Sequence, residues 1–364
     1  MPARLLIICL LFVFPVNIGY AQSFKDSAIL RTLISENESS KKKLIILSAE
    51  IAELKLLLQH QQQLSDHQFI KGSLFIDAAV SSANNLQTLI SKESYRNKIT
   101  SLNNPASGEL GINLEYEIQN SLRPLLEKTR KTDVKKFQQV IKSLLETGKN
   151  TTSLFPAGNI FTSILSVVGN VSINEKGIQK NDIDTFTRSI EKYFNQYEKL
   201  YQCNVNFKNQ MQALKSKMQI LQEDIKIQLQ DIILSIYRNI KREQILKPSS
   251  EELLLKYLDR QPMSEQLEKN KGATIFPADA VKGCKEIANS IKRVYEEYAV
   301  IYSNNFQEIS NIISNTAKVS ASVDKSKTDK TLKEIEQLYT ESKSIDEDNL
   351  RLKTLFDRLE MLQQ

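Results

Sequence analysis

The chain has 364 residues, 41% of them hydrophobic, enough to bury a core as one elongated domain or two. Ten Gly, eight Pro and no Trp are low counts for an enzyme built of many loops and strands, and they suit long helices with few turns. The 49 basic and 43 acidic residues are finely mixed, net +6, and the densest basic patches, Lys41 to Lys43 and Lys128 to Lys136, have no interleaved aromatics, so they read as solvated faces and no nucleic-acid partner is expected.

Residues 1–21 read as a cleaved signal peptide. Arg4 supplies a short positive region, Leu5 to Phe14 is continuously apolar, and Gly19-Tyr20-Ala21 offers small residues where a signal peptidase reads, so the mature chain is expected to start at Gln22. The apolar run is too short to span a bilayer comfortably. This implies export, to the periplasm or the extracellular space. The remaining organisation is read as an N-terminal helical region (22–149), an uncharged apolar segment with its connector (150–181) and a C-terminal long-helix bundle (182–364).

A first helix is expected from Ser27 to about Leu64. Leu30, Leu33, Asn37, Ser40, Leu44, Leu47, Ile51, Leu54 and Leu58 follow a three-four rhythm, while Ile45, Ile46, Leu56 and Leu57 widen the stripe. That width predicts packing against more than one neighbour. The polar tract His60 to Gln63 weakens the helix and Ser65-Asp66 restarts the chain. A second helix then runs from His67 to Leu102, with Phe69, Ile76, Ala79, Ala83, Leu86 and Ile90 on one side. Asn103-Asn104-Pro105 ends it, and Pro105 to Gly111 is a loop by composition. A third helix from Leu114 to about Arg130 is kinked or divided at Pro124. Asp133 then caps a short helix carrying Val134, Phe137, Val140, Ile141, Leu144 and Leu145, stopped by Gly148.

From Asn150 to Asn174 there is no charged residue, in a chain that is otherwise a quarter charged. The preferred reading is a helix entered at Pro156 and running to about Val168. The alternative is a short β-hairpin near 160–173, turning at Gly169-Asn170. A buried core element is the preferred reading of this segment; otherwise Phe155, Ile160, Phe161, Ile164, Leu165, Val167 and Val168 are the candidate residues for contact with a membrane or a partner.

The longest helix is expected from Ile183 to about Ile240. Ile183, Phe186, Ile190, Tyr193, Tyr197, Leu200, Asn204, Phe207, Met211, Leu214, Met218, Leu221 and Ile225 alternate spacings of three and four without a slip. The seam then shifts to Leu229, Ile232, Ile236 and Ile240, as a four-residue insertion would do. Asp182 or Asp184 is the expected cap. Lys247 to Glu252 is a break and a new helix start, with that helix ending near Pro262 and a connector from Met263 to Pro277. Asp279 opens a second heptad helix, on Val281, Cys284, Ala288, Ile291, Tyr295, Tyr298, Tyr302, Asn305, Ile309, Ile312, Thr316, Val319 and Val323. A polar break from Ser320 to Asp329 precedes a closing helical hairpin on Leu332, Ile335 and Leu338, then Leu352, Leu355, Leu359 and Leu362. The fold class is therefore all-α, an elongated bundle of long antiparallel, coiled-coil-like helices.

With Cys9 lost in the signal, Cys203 and Cys284 remain, and an exported pair is a candidate disulfide. The bridge and a simple hairpin of the two long helices exclude each other. Joined as a simple hairpin they hold the cysteines roughly 50 Å apart by helical rise, whereas a bridge needs Cα atoms within about 7 Å. The bridge would instead set Tyr193 near Tyr295.

No catalytic, cofactor-binding or metal constellation is legible. His60 and His67 lack a completing carboxylate or cysteine, no Ser–His–acid grouping has a local signature, and no phosphate-binding glycine loop occurs. The tyrosine stripes read as amphipathic core, although stacked rings could floor a groove. The function expected is that of an exported helical interaction or scaffold protein, binding a protein partner or itself through its heptad seams, with Asn204 and Asn305 fixing register; the equal reading is that both seams are used up inside the monomer. Two alternatives compete: a membrane-active, pore-forming-like protein inserting the 150–174 segment, and a small-ligand binder or enzyme with a site hidden between helices.

Overall fold

Apolar spacing of three and four residues, kept through most of the chain, produces helices. The computed structural model describes residues 25–128, 138–144, 157–174, 178–269, 276–343 and 351–364, and among them there is no strand. The helices are α1 (Lys25–Ser91), α2 (Ser94–Leu102), α3 (Leu114–Leu126), α4 (138–144), α5 (Ala157–Asn174) and α6 (Lys180–Ile236). After these come α7 (Arg242–Leu246), α8 (Ser250–Tyr257), α9 (Arg260–Lys269), α10 (Ala278–Thr316), α11 (Lys325–Lys343) and α12 (Leu352–Gln363). The fold is an all-α helical bundle. The chain separates into two units, Met1–Gln63 and Leu64–Gln364. The signal-peptide reading (1–21), Phe155, Asp133 and Gly148 lie outside the described residues.

The second unit is organised on α6, a helix of 57 residues and roughly 85 Å. Apart from Ile183, which is half-buried, every seam residue from Phe186 to Ile236 is buried. Asp182 serves its start from inside the first turn, where Oδ2 accepts the Gln179 N–H at 2.9 Å. The helix stops at Ile236, four residues short of expectation, and Ile240 packs from the following turn.

Against α6 lies α10, antiparallel. Asn305 meets Cys203, Glu297 meets Lys217, and the Ala280 carbonyl accepts from Gln228, so one helix descends as the other climbs. Residues Leu64–Ser91 of α1 also run antiparallel to α6. Their order is fixed by Gln87 on Gln222, Asn84 on Glu251 beside it, and the Phe69–Phe276 ring pair near Ile232. Phe69, Ile76, Ala79, Ala83, Leu86 and Ile90, the expected face, are all buried. Helices α11 and α12 pack on α10, and α2, α3, α5 and α8 pack on α6.

Several boundaries differ from expectation. Helix α1 continues through His60 to Asp66 and breaks instead at Lys92-Glu93. Glutamine is a good helix former, so a polar tract removes packing without removing helicity. Ser65 restarts nothing; its Oγ accepts the Phe276 N–H at 2.8 Å. Pro262 does not end a helix. It sits in the first turn of α9, where a missing N–H costs little. The connector expected after it is the body of that helix as far as Lys269. Ser249 does begin α8 with a reciprocal cap, its Oγ accepting from Glu252 N–H at 3.2 Å and Glu252 Oε2 accepting from Ser249 N–H at 2.9 Å. The second heptad helix ends at Thr316, so Val319 and Val323 belong to the turn beyond it.

The 103–113 loop is bound to the start of α11. Gly111 has φ of +73°, its carbonyl accepts the Asp324 N–H at 2.9 Å, and Thr331 Oγ1 donates to the Glu109 carbonyl at 2.7 Å. Lys98 adds ion pairs to Glu109 (3.0 Å) and Glu334 (2.8 Å). A Cβ on Gly111 would run into the Asp324 carbonyl. Gly111→Ala is therefore expected to destabilise the bundle by about 2 kcal/mol or more, combining left-handed backbone with a backbone clash. The urea midpoint checks it, with Gly108→Ala, which meets only ordinary contact, as the milder comparison.

Candidate functional site

Which apolar seams remain open decides what the molecule can bind. In the first unit the described residues form one helix, and nothing else described in that unit covers its stripe. Leu33, Ile34, Leu44 to Leu47, Ile51, Leu54 and Leu56 to Leu58 are all 48% to 68% exposed. The sequence predicts that this width packs against several neighbours; the structure leaves it facing solvent. An exposed apolar surface of this extent is uncommon.

The seams of α6 and α10, by contrast, are consumed inside the bundle. Asn204 and Asn305, expected to fix the register of an association, serve internal bonds. Asn204 Nδ2 donates to the Ile99 carbonyl at 2.8 Å. Asn305 Oδ1 accepts from Tyr95 Oη at 2.8 Å and its Nδ2 donates to Cys203 Sγ at 3.2 Å. Around them Tyr95, Phe207 and Tyr302 form an aromatic cluster, with ring centroids 5.1 to 5.8 Å apart. The register that these polar residues specify is that of α2, α6 and α10 within one chain.

That register excludes the disulfide. Cys203 lies opposite Asn305, and Cys284 is about 30 Å further along α10 by helical rise. Both are buried free thiols. The two helices are antiparallel, but in neither expected register: Ala280 meets Gln228 rather than sitting opposite Ile240 as in a simple hairpin, and Tyr193 is bonded to Glu117 at 2.7 Å rather than set beside Tyr295. Burial pushes the Cys284 thiol up to about 12 and raises that of Cys203 further. Both thiols are expected to stay unreactive to an aromatic disulfide reagent in the native protein and to react together on denaturation, which thiol titration reads directly.

The uncharged segment is helix α5 from Ala157 to Asn174, passing straight through Gly169-Asn170, so the hairpin alternative does not form. Ile160, Ile164 and Val168 are buried at a four-residue spacing. Phe161, Leu165 and Val167 are half-buried on the flanks, with Phe161 against Phe194 at 5.1 Å between centroids. The Gly158 N–H donates to Glu198 at 3.4 Å, which ties the start of α5 to α6. No described helix is long and apolar enough to cross a membrane.

Crevices open on the bundle, and two of them bear on the sequence reading. One of about 270 Å³ is lined by Arg96, Asn204, Phe207, Met211 and the rim residues Lys208 and Lys215. The other, about 260 Å³, is lined by Tyr295, Tyr298, Tyr302 and Tyr339; the first three belong to the stripe read as core, and Tyr339 is not among the residues that the sequence points to. His60 and His67 are exposed, and among the described residues no three His, Cys, Asp or Glu are placed to hold a metal ion.

Most buried tyrosines bond inward: Tyr197 to the Pro105 carbonyl and Tyr298 to that of Ser342, both at 3.5 Å. Burial raises the pKa of Tyr95, Tyr197, Tyr237, Tyr298 and Tyr302 above the ordinary value of 10.0. A group whose folded pKa is raised adds stability that is complete below its unfolded value and declines as pH climbs above it. Alkaline titration at the tyrosinate absorption band should therefore show these rings ionising together in one cooperative step above pH 10, coincident with loss of helix. Independent ionisation of every tyrosine near 10 would contradict the packing.

Comparison with protein-family models, with curated proteins and with solved structures finds no match.

Proposed function

We propose that the chain is an exported helical interaction protein that works by contact rather than catalysis, and that α1 from Leu33 to Leu58 is its contact surface. The observation that carries this reading is the open stripe of α1 beside the filled seams of α6 and α10. A long heptad helix is stabilised chiefly by a partner that covers its apolar edge. The bundle from Leu64 onward serves as the scaffold that presents this helix. Residues 1–21 support export, since their pattern is that of a secretion signal.

A photo-reactive phenylalanine analogue placed at Leu47 in the producing cells tests the reading. An adduct formed at Leu47, and abolished by Leu44→Asp with Ile51→Asp in the same chain, is the expected result. A chain that forms no adduct at all, with itself or with another protein, would overturn it.

A further inference from the structure

The open stripe of α1 carries information about its occupant as well as its existence. Placing Leu30, Asn37, Leu44, Ile51 and Leu58 at the a positions of a heptad puts Leu33, Ser40, Leu47 and Leu54 at d. About four heptads are thus continuous, which is the length at which the pattern becomes specific. The flanking positions then follow without choice. Glu36, Lys43, Glu50 and Leu57 fall at g, and Ile34, Lys41, Ser48 and Lys55 fall at e.

We infer that the occupant is a second copy of this chain, paired parallel and in register over Leu30 to Leu58; the inference rests on the contact-surface reading above. In that arrangement each g residue meets the e residue of the following heptad on the other helix. Glu36 meets Lys41 of the second copy, and Glu50 meets its Lys55, each pair occurring twice by symmetry. Lys43 meets uncharged Ser48. No like charges are opposed anywhere along the seam. Asn37 faces Asn37 of the second copy at an a position, where paired amides can bond to each other and hold a two-stranded, in-register arrangement. All five of these charged side chains and Asn37 are exposed in the single chain, so they are free to make the contacts.

Reversing one helix loses this agreement, because e then faces e and g faces g. Where Lys43 is brought to Glu50 of the other copy, Asn37 comes opposite Leu54 and its amide has no partner in the seam. Centring the reversed pair on Ser48 sets Lys41 against Lys55. Leucine at three of the four d positions (Leu33, Leu47 and Leu54, with Ser40 the exception) and β-branched Ile51 at a also agree with a two-stranded parallel form. Ile45, Ile46 and Leu56 fall at b, c and f, outside the seam, and stay exposed in the pair.

Charge exchange and cysteine trapping test this on the chain from Gln22 onward. Glu50→Lys alone sets two ammonium groups against each other at Lys55, and Lys55→Glu alone opposes two carboxylates, so each variant should self-associate roughly tenfold more weakly. Mixed, the two variants restore attraction between unlike chains, and a heterodimer should form in preference to either homodimer. Leu33→Cys should yield a disulfide-linked dimer on mild oxidation, since the native thiols are buried, while Ala49→Cys on the outer face should not. Ile46→Lys should leave the association constant unchanged. A dimer trapped by mixing Leu33→Cys with Leu58→Cys, and not by Leu33→Cys alone, would overturn the parallel register. A mass of three or more chains would overturn the two-stranded form. Adducts only with a different protein from the Leu47 position would overturn this inference and leave the contact-surface reading standing, whereas no adduct of any kind would remove both.

Discussion

Phe207→Ala will lower the stability of the bundle by about 3–5 kcal/mol, the usual cost of truncating a fully packed ring. Phe207 is 1% exposed and lies where α2, α6 and α10 meet. Its ring stands edge-on to Tyr95 at 5.8 Å and to Tyr302 at 5.1 Å. Removing it takes one ring contact from each of Tyr95 and Tyr302 and loosens Tyr95, whose hydroxyl donates to Asn305. Phe207 also lines the 270 Å³ crevice, so solvent can reach part of the void, which favours the lower half of that range. Against a total of about 5–15 kcal/mol for a domain, the loss is large enough to move the midpoint of urea unfolding well outside error. Phe161→Ala provides the contrast. That ring is half-buried, with Phe194 its one aromatic neighbour among the described residues, and its loss should cost only about 1–2 kcal/mol.

Leu47→Asp combined with Leu54→Asp should abolish association while leaving the bundle intact. Both leucines sit in the open stripe, 53% and 59% exposed, so neither supports the packing of Leu64 onward. Covering a leucine is worth about 1.5–3 kcal/mol, and both copies contribute. The pair of substitutions therefore removes more than about 4 kcal/mol of association, beyond roughly a thousandfold, before counting the repulsion of buried carboxylates. Sedimentation equilibrium reads the loss, and unchanged urea unfolding of the bundle separates it from misfolding.

What the sequence discloses is the helix edges, because period carries that information directly. Every seam residue read on α6 from Phe186 to Ile236 is buried, and the face read on α1 from Phe69 to Ile90 is buried too. What it does not disclose is which edge meets which. The stripes of α1 and α6 obey the same rhythm, yet one is open and the other filled, since the difference lies in the neighbours rather than in the helix. Asn204 and Asn305 show the same limit. A polar residue in a seam signals register, and here its partners prove to be the Ile99 carbonyl, Tyr95 and Cys203 of the same chain. Cys203 and Cys284 are both buried, and the axial offset of α10 on α6 excludes their bridge. Offset is set by packing of the whole α10 face and by the α7–α9 connection, neither of which is a local signal. The tract from His60 to Gln63 is no boundary for a simpler reason: its residues tolerate a helix without anchoring one.

The central claim is that the α1 edge binds in solution while the α6 edge is already spent, and amide hydrogen exchange measured across protein concentration tests it most directly. Amides in 33–58 should gain protection as concentration rises through the association range, while those in 183–236 should be equally protected throughout. Rapid exchange of 33–58 at every concentration, or protection of 183–236 that grows with concentration, would contradict it.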